Sequence, residues 1–257
     1  MSSAEYISRD YRRHMGARFR AFSASYKETD LWIGVDPSSY SSRMEDFATS
    51  YAMSLRLELD AYIDQRPEFL SSLAPIAVDG RAPIIARAMI AASGEAGVGP
   101  MAAVAGAVAE AVGTAIVSEF GCRELLVENG GDLWLLFEEA IDVSVFAGTS
   151  PLSERVGVSI PKELSPLGVC TSSGTVGPSL SLGRADAAMV AVRGAEGASA
   201  AAADAWATRI GNAVTRAEDI EAALGLIDGW NDIVSVVLIK DDKMGIRGEL
   251  PLKLFQR

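Results

Sequence analysis

The chain has 257 residues, 49% of them apolar, which is enough to build a substantial buried core. Its formal net charge of −11 excludes an electrostatic grip on nucleic acid or an anionic membrane, so a bound phosphate must be met by backbone N–H groups or a metal. Two cysteines, Cys122 and Cys170, are too few for a disulfide scaffold, and the opening MSSAEYISRDYRR lacks the apolar core of an export signal, so the reading places the chain in the cytoplasm.

Residues 6–35 read as a pair of strands forming an appended arm. Phe19, Phe22 and Tyr26 fall in the first strand, while Leu31, Ile33 and Val35 alternate in the second. The basic residues Arg9, Arg12, Arg13, Arg18 and Arg20 read as a solvated arm or a subunit contact. His14 is the only histidine, which excludes a multi-histidine metal site.

Over 43–65, Phe47, Tyr51, Leu55, Leu59 and Tyr62 recur at helical spacing, with Pro67 as a stop. A second helix is expected near 82–93 with Pro83 in its first turn, and a third over 100–118 after the Gly-rich SGEAGVGP. On the third, Met101, Val104, Val108, Val112 and Ile116 share one side. Ala103, Gly106, Ala107, Glu110 and Thr114 share the other. The run is long enough for a membrane span, but it is Ala/Gly-rich and carries Glu110, so it reads as a buried helix. Its small side admits a close neighbour. Gly99 and Met101 at its entry are candidate phosphate contacts, because a helix N-terminus presents free N–H groups.

Strands at 125–127 and 133–137 flank a turn whose Asn129, Gly130 and Gly131 supply positive φ, bracketed by Glu128 and Asp132. Asn129, Gly130, Gly131 and Asp132 are candidate ligand contacts. Further strands are expected at 141–146, 156–160 and 186–192. Before the last of these, Thr171, Ser172, Ser173, Gly174 and Thr175 crowd one loop, a composition suited to phosphate or ribose oxygens. Cys170 adjoins it, either as a small buried residue or as a catalytic thiol.

On the Ala-rich helix at 199–214, Asp204 and Thr208 stand four apart and so share a face. They form a partial oxygen cage suited to Mg²⁺, with phosphates and water completing it. The structural alternative is an acid favouring the helix dipole and a Thr bonding back to its own helix. A helix near 218–228 and a closing hairpin from 233 onward complete a single α+β domain, with mixed or antiparallel sheets packed against helices.

The order VENGGDLWL, GVCTSSG, ADAWATRIGNAV resembles the ApbE-like family, whose best-known members are Mg²⁺-dependent FAD:protein FMN transferases. The VGPMAAVAGA helix entry at 98–107 is similar to that of a cytoplasmic branch of the family. The resemblance covers about residues 50–215 and implies an ApbE-like fold. It implies a metal held by Asp204 and Thr208, and FAD or FMN lined by the 129–132 turn and the 171–174 loop. Where the transferases carry a His-x-x-Asp-Pro element, this chain has Val176-Gly177-Pro178-Ser179-Leu180-Ser181. The resulting expectation is an Mg²⁺-dependent flavin-nucleotide binding protein with a small phosphorylated ligand. No nucleic acid or membrane partner is expected, and a homodimer is left open. Two alternatives are a sulfur-assimilation protein with Cys170 as sulfide or persulfide carrier, and a non-catalytic binding or assembly protein.

Overall fold

The computed structural model describes residues 18–174, 183–194 and 197–255. The first strands, β1 (Arg20–Tyr26) and β2 (Thr29–Val35), form a tight hairpin through Lys27 at φ +53° and bury Phe22, Leu31, Ile33 and Val35. Helix α1 (Arg43–Gln65) is the helix that the apolar spacing predicts, with Leu55, Leu59 and Tyr62 on its buried face. A single-turn helix, α2 (Glu68–Ser71), is too short to show a period in the sequence. Helix α3 (Ile84–Ala96) follows Pro83 and stops at Gly97. A 3₁₀ turn at Pro100–Ala103 leads into α4 (Val104–Phe120).

Two strands follow, β3 (Leu125–Asn129) and β4 (Asp132–Leu136), joined through Gly130 and Gly131 at φ +70° and +106°. Beyond them come β5 (Ile141–Ser144), β6 (Val156–Ile160), β7 (Leu167–Ser172), β8 (Ala187–Gly194) and β9 (Gly197–Ala198). Helix α5 (Ala200–Asn212), a short α6 (Ile220–Leu224), β10 (Ile233–Lys240), β11 (Lys243–Gly248) and β12 (Leu252–Leu254) complete the described chain.

Among the described residues, strands pair antiparallel in two sheets. The larger runs β1-β2-β3-β4-β7-β8-β10-β11 with β9 against β8, and the smaller runs β12-β6-β5. Helices α1, α3, α4 and α5 cover one face of the larger sheet, and the small sheet covers the other. Strand β8 shows why its sequence reads as continuously apolar. Ala188, Val190 and Val192 face the helical core, whereas Ala187, Met189 and Ala191 face the core of the sheet sandwich. The fold is the expected α+β single domain.

Two expectations need correcting. The hairpin is not an appendage: β2 pairs with β3 from Leu31↔Asn129 to Val35↔Leu125, so residues 20–35 form the edge of the main sheet. Residues 6–17, with His14 and the arginines before Arg18, lie outside the described residues. Likewise Thr171 and Ser172 belong to strand β7, between β4 and β8, rather than to a loop. A β-branched, hydroxyl-bearing Thr suits a strand as well as a turn, so composition alone misassigns it. The 3₁₀ turn and α4 together span Pro100–Phe120, long and apolar enough by composition to cross a membrane, and they pack here among α3, α5, β3 and β4.

Candidate functional site

The first turns of α4 and α5 lie side by side, and this junction is where the candidate residues meet. Gly106 permits it. A Cβ at that position would stand 2.1 Å from the Ala200 carbonyl oxygen and 2.9 Å from Asp204 Cβ. The side expected to admit a strand or a ligand therefore admits another helix.

Each helix then supplies a carboxylate to the start of the other. Asp204 on α5 accepts from the Gly106 N–H at 3.0 Å and from the Ala105 N–H in the first turn of α4. Glu110 on α4 accepts from the Ala201 N–H at 3.2 Å and from the Ala200 N–H in the first turn of α5. Ser199 Oγ accepts from Ala202, and its carbonyl from Ala203, so the opening donors of α5 are all accounted for.

The 129–132 turn closes on the same point. Asn129 donates its side-chain amide to the Ala105 carbonyl at 3.1 Å, and Gly131 N–H donates to Glu128 at 2.7 Å. Asp132 accepts from the Thr171 N–H at 3.2 Å, which ties the turn to the end of β7. Asn129, Glu128, Asp132 and Asp204 are all buried. Thr171, Ser172, Ser173 and Thr208 are half-buried, and Gly174 is exposed. Thr208 follows Asp204 by one turn of α5. Thr175 and the Val176–Ser181 stretch lie outside the described residues.

Electrostatics set this junction apart. Burial pushes the Asp204 carboxyl up to about 7 against the pull of two N–H donors. Asp132 is raised well above the ordinary carboxylate range, by burial first and by repulsion from Asp204 second. Burial raises Glu110 as well. Among the described residues, no Lys or Arg forms an ion pair with any of these three acids. Nor does any group of three or more His, Cys, Asp or Glu there stand ready to hold an ion by itself. Hard oxygen donors held without a cationic partner among the described residues do fit a divalent cation that draws further ligands from phosphate and water.

Gly99 is pressed against the chain itself, where a Cβ would fall 1.8 Å from the Ser72 carbonyl oxygen, and Met101 is half-buried beside it. The N–H groups of Ala105 and Gly106, further along, serve Asp204. Cys170 has no exposed surface. Its thiol lies 3.2 Å from the Ala200 carbonyl, and burial together with Asp132 and Asp204 pushes its pKa well up. A nucleophilic thiol needs an electropositive, accessible setting, and this one is electronegative and closed.

The family model described as AbpE bacteria matches residues 12–224. The chain belongs to that family. Relatives carry the name UPF0280 protein. One from Methanocaldococcus jannaschii is 38% identical over 231 residues, covering 88% of this chain and 89% of the relative. One from Methanocella arvoryzae is 40% identical over 197 residues, covering 77% and 78%. Among solved structures, the flavin transferase ApbE from Vibrio cholerae superimposes with a TM-score of 0.53 at 13% identity, covering 90% of this chain and 97% of that one. The apo flavinyl transferase ApbE of Pseudomonas stutzeri gives 0.55 at 14%, covering 89% and 93%. At such identities the family shares a fold with those enzymes, and the site must be argued from its own residues.

Sequence reasoning singled out Asp204, Thr208 and Asp132, and the structure brings the two acids together at one junction. It noticed Glu110 on the small side of α4 without giving it a task. The available signal was a lone acid on an otherwise Ala/Gly face, which has to find donors somewhere.

Proposed function

We propose that this protein binds a flavin nucleotide of the FAD type together with Mg²⁺, at the junction of α4, α5, the 129–132 turn and the end of β7. Asp204 and Thr208 hold the cation, and Asp132 faces it. The observation that carries this reading is the pair of buried carboxylates at Asp132 and Asp204, held at one junction by the Thr171 and Gly106 N–H groups, without a cationic partner among the described residues. Left alone, such a pair is costly, and a divalent cation removes the cost. The fold shared with proteins named flavin transferases supports the flavin half of the reading.

When bound, the cation supplies charge neutralisation and orientation for a diphosphate, which suits phosphoryl or nucleotidyl transfer. The chain's own contribution is to bury the carboxylates and to hold Asp132 against β7 through Thr171. Asp204 is held in the same way through the N–H groups of Ala105 and Gly106.

Calorimetric titration of the full chain with FAD in Mg²⁺ tests the reading. Heat of binding is expected for the wild type, reduced at least about tenfold in affinity for Thr208→Ala and abolished for Asp204→Ala or in excess chelator. Unchanged binding in Asp204→Ala, or no heat with the wild type, sinks it.

A further inference from the structure

Helix α5 carries both proposed cation ligands, and its first turn is built from Ala200, Ala201, Ala202 and Ala203. The turn lies between Gly106 of α4 and Gly168 of β7, where a Cβ would stand 2.1 Å from the Ala200 carbonyl oxygen and 2.5 Å from the Ala200 nitrogen, respectively. Its axial position is set by these backbone contacts and by hydrogen bonding at its start. Two of those donors, Ala200 and Ala201, end on one side chain, Glu110, which reaches across from the middle of α4. The contact at Gly106 is close enough that any slide of α5 moves Ala200 and Asp204 directly along the α4 backbone. One helical residue is about 1.5 Å of rise, whereas ligand distances at a metal must hold to about 0.2 Å. Displacements far smaller than one residue therefore matter at Asp204 and Thr208.

Resting on the metal reading above, we propose that Glu110 is a positioning residue of the site. By capping α5 from α4, it sets the axial position of Asp204 and Thr208 against Asp132. Glu110 acts through the helix and not on the ion.

The test is a titration of the full chain with Mn²⁺ alone, with free Mn²⁺ followed by electron paramagnetic resonance well below the melting temperature of every variant. Glu110→Ala is expected to bind Mn²⁺ about tenfold more weakly, the usual cost of removing a group that orients a ligand. Glu110→Gln, which keeps an acceptor at the Ala200 and Ala201 N–H groups, is expected to stay within about threefold of the wild type. Val112→Ala, a cavity on the core side of the same helix, lowers the melting temperature and leaves Mn²⁺ affinity unchanged. Wild-type affinity in Glu110→Ala overturns the proposal. So does equal weakening in Glu110→Gln, which would mean that negative charge alone matters, or equal weakening in Val112→Ala, which would mean general loosening. A wild type that ignores Mn²⁺ overturns the metal reading itself, and this inference with it.

Discussion

Two clusters of buried acids in this molecule are treated in opposite ways. Near the outer end of β2, burial pushes Asp36 up, but hydrogen bonds from Ser38, Ser39 and the Glu124 N–H outweigh it and hold its carboxyl down at about 2. Glu124 is likewise lowered, because Arg18 and the backbone around Glu138 overcome its burial. At the α4–α5 junction Asp132, Asp204 and Glu110 are raised, and only N–H groups and a thiol answer them among the described residues. Burial is common to both clusters, and compensation separates them. A compensated acid is part of the frame, whereas an uncompensated group of acids is a place where a cation or a proton belongs.

The sharpest way to test that contrast is pH. Asp204 binds its proton more tightly folded than unfolded, so its contribution to stability is complete below its ordinary value of 3.8 and is lost as pH rises through about 7. The rise from 3.8 to about 7 is worth about 4 kcal/mol at the alkaline limit. Between pH 5 and pH 8 about 2.7 kcal/mol of this is lost, so in chelator the melting temperature should fall by about 7 °C. Asp204→Asn should reduce that fall, with Asp132 and Glu110, raised in the same sense, carrying the remainder, and Mg²⁺ should restore the wild type at pH 8. Asp36 predicts the reverse sign: its contribution is present above 3.8 and disappears as pH drops through about 2. A wild-type profile that stays flat from pH 5 to 8 would mean that the junction is compensated after all.

The next effect is steric. Gly106→Ala puts a methyl group on the Ala200 carbonyl and on Asp204, both held by backbone, so the helices must part. Overpacking of this kind costs about 1–3 kcal/mol, read as a melting temperature lower by about 5 °C. FAD binding in Mg²⁺ should weaken with it, because the cap on α4 opens. Gly80→Ala, where a Cβ meets nothing within 4 Å, is the matched control and should change neither quantity.

How far the sequence discloses this junction depends on the range of the interaction. The Asp204 and Thr208 pair is legible because four residues on a helix return to one face. Helix α1 is legible for the same reason, down to its limits at Arg43 and Gln65. The exchange of caps is not, since Asp204 and Gly106 stand 98 residues apart and Glu110 and Ala201 stand 91 apart. Nothing local marks such partners. The hairpin at 20–35 could be read as strands but not as the edge of the main sheet, because its pairing with Leu125–Asn129 is equally remote. The contact of Gly99 with the Ser72 carbonyl is likewise remote in sequence and leaves no local mark.

The smallest effect concerns the compensated cluster. Arg18→Met removes the guanidinium that donates to Glu124 and lies over the Phe19 ring, while keeping an apolar stem of similar length. Glu124 is then left with backbone donors alone, and a loss of about 1–2 kcal/mol is expected at pH 7. That loss should shrink as pH falls, since Glu124 is ionised in both states at pH 7 and protonated in both at sufficiently low pH. Adding Glu124→Gln should recover part of it, because the deficit comes from a buried charge without its partner. FAD and Mn²⁺ affinity should not move in either variant. If they did, the two clusters would be coupled, and compensation at Arg18 would belong to the site rather than to the frame.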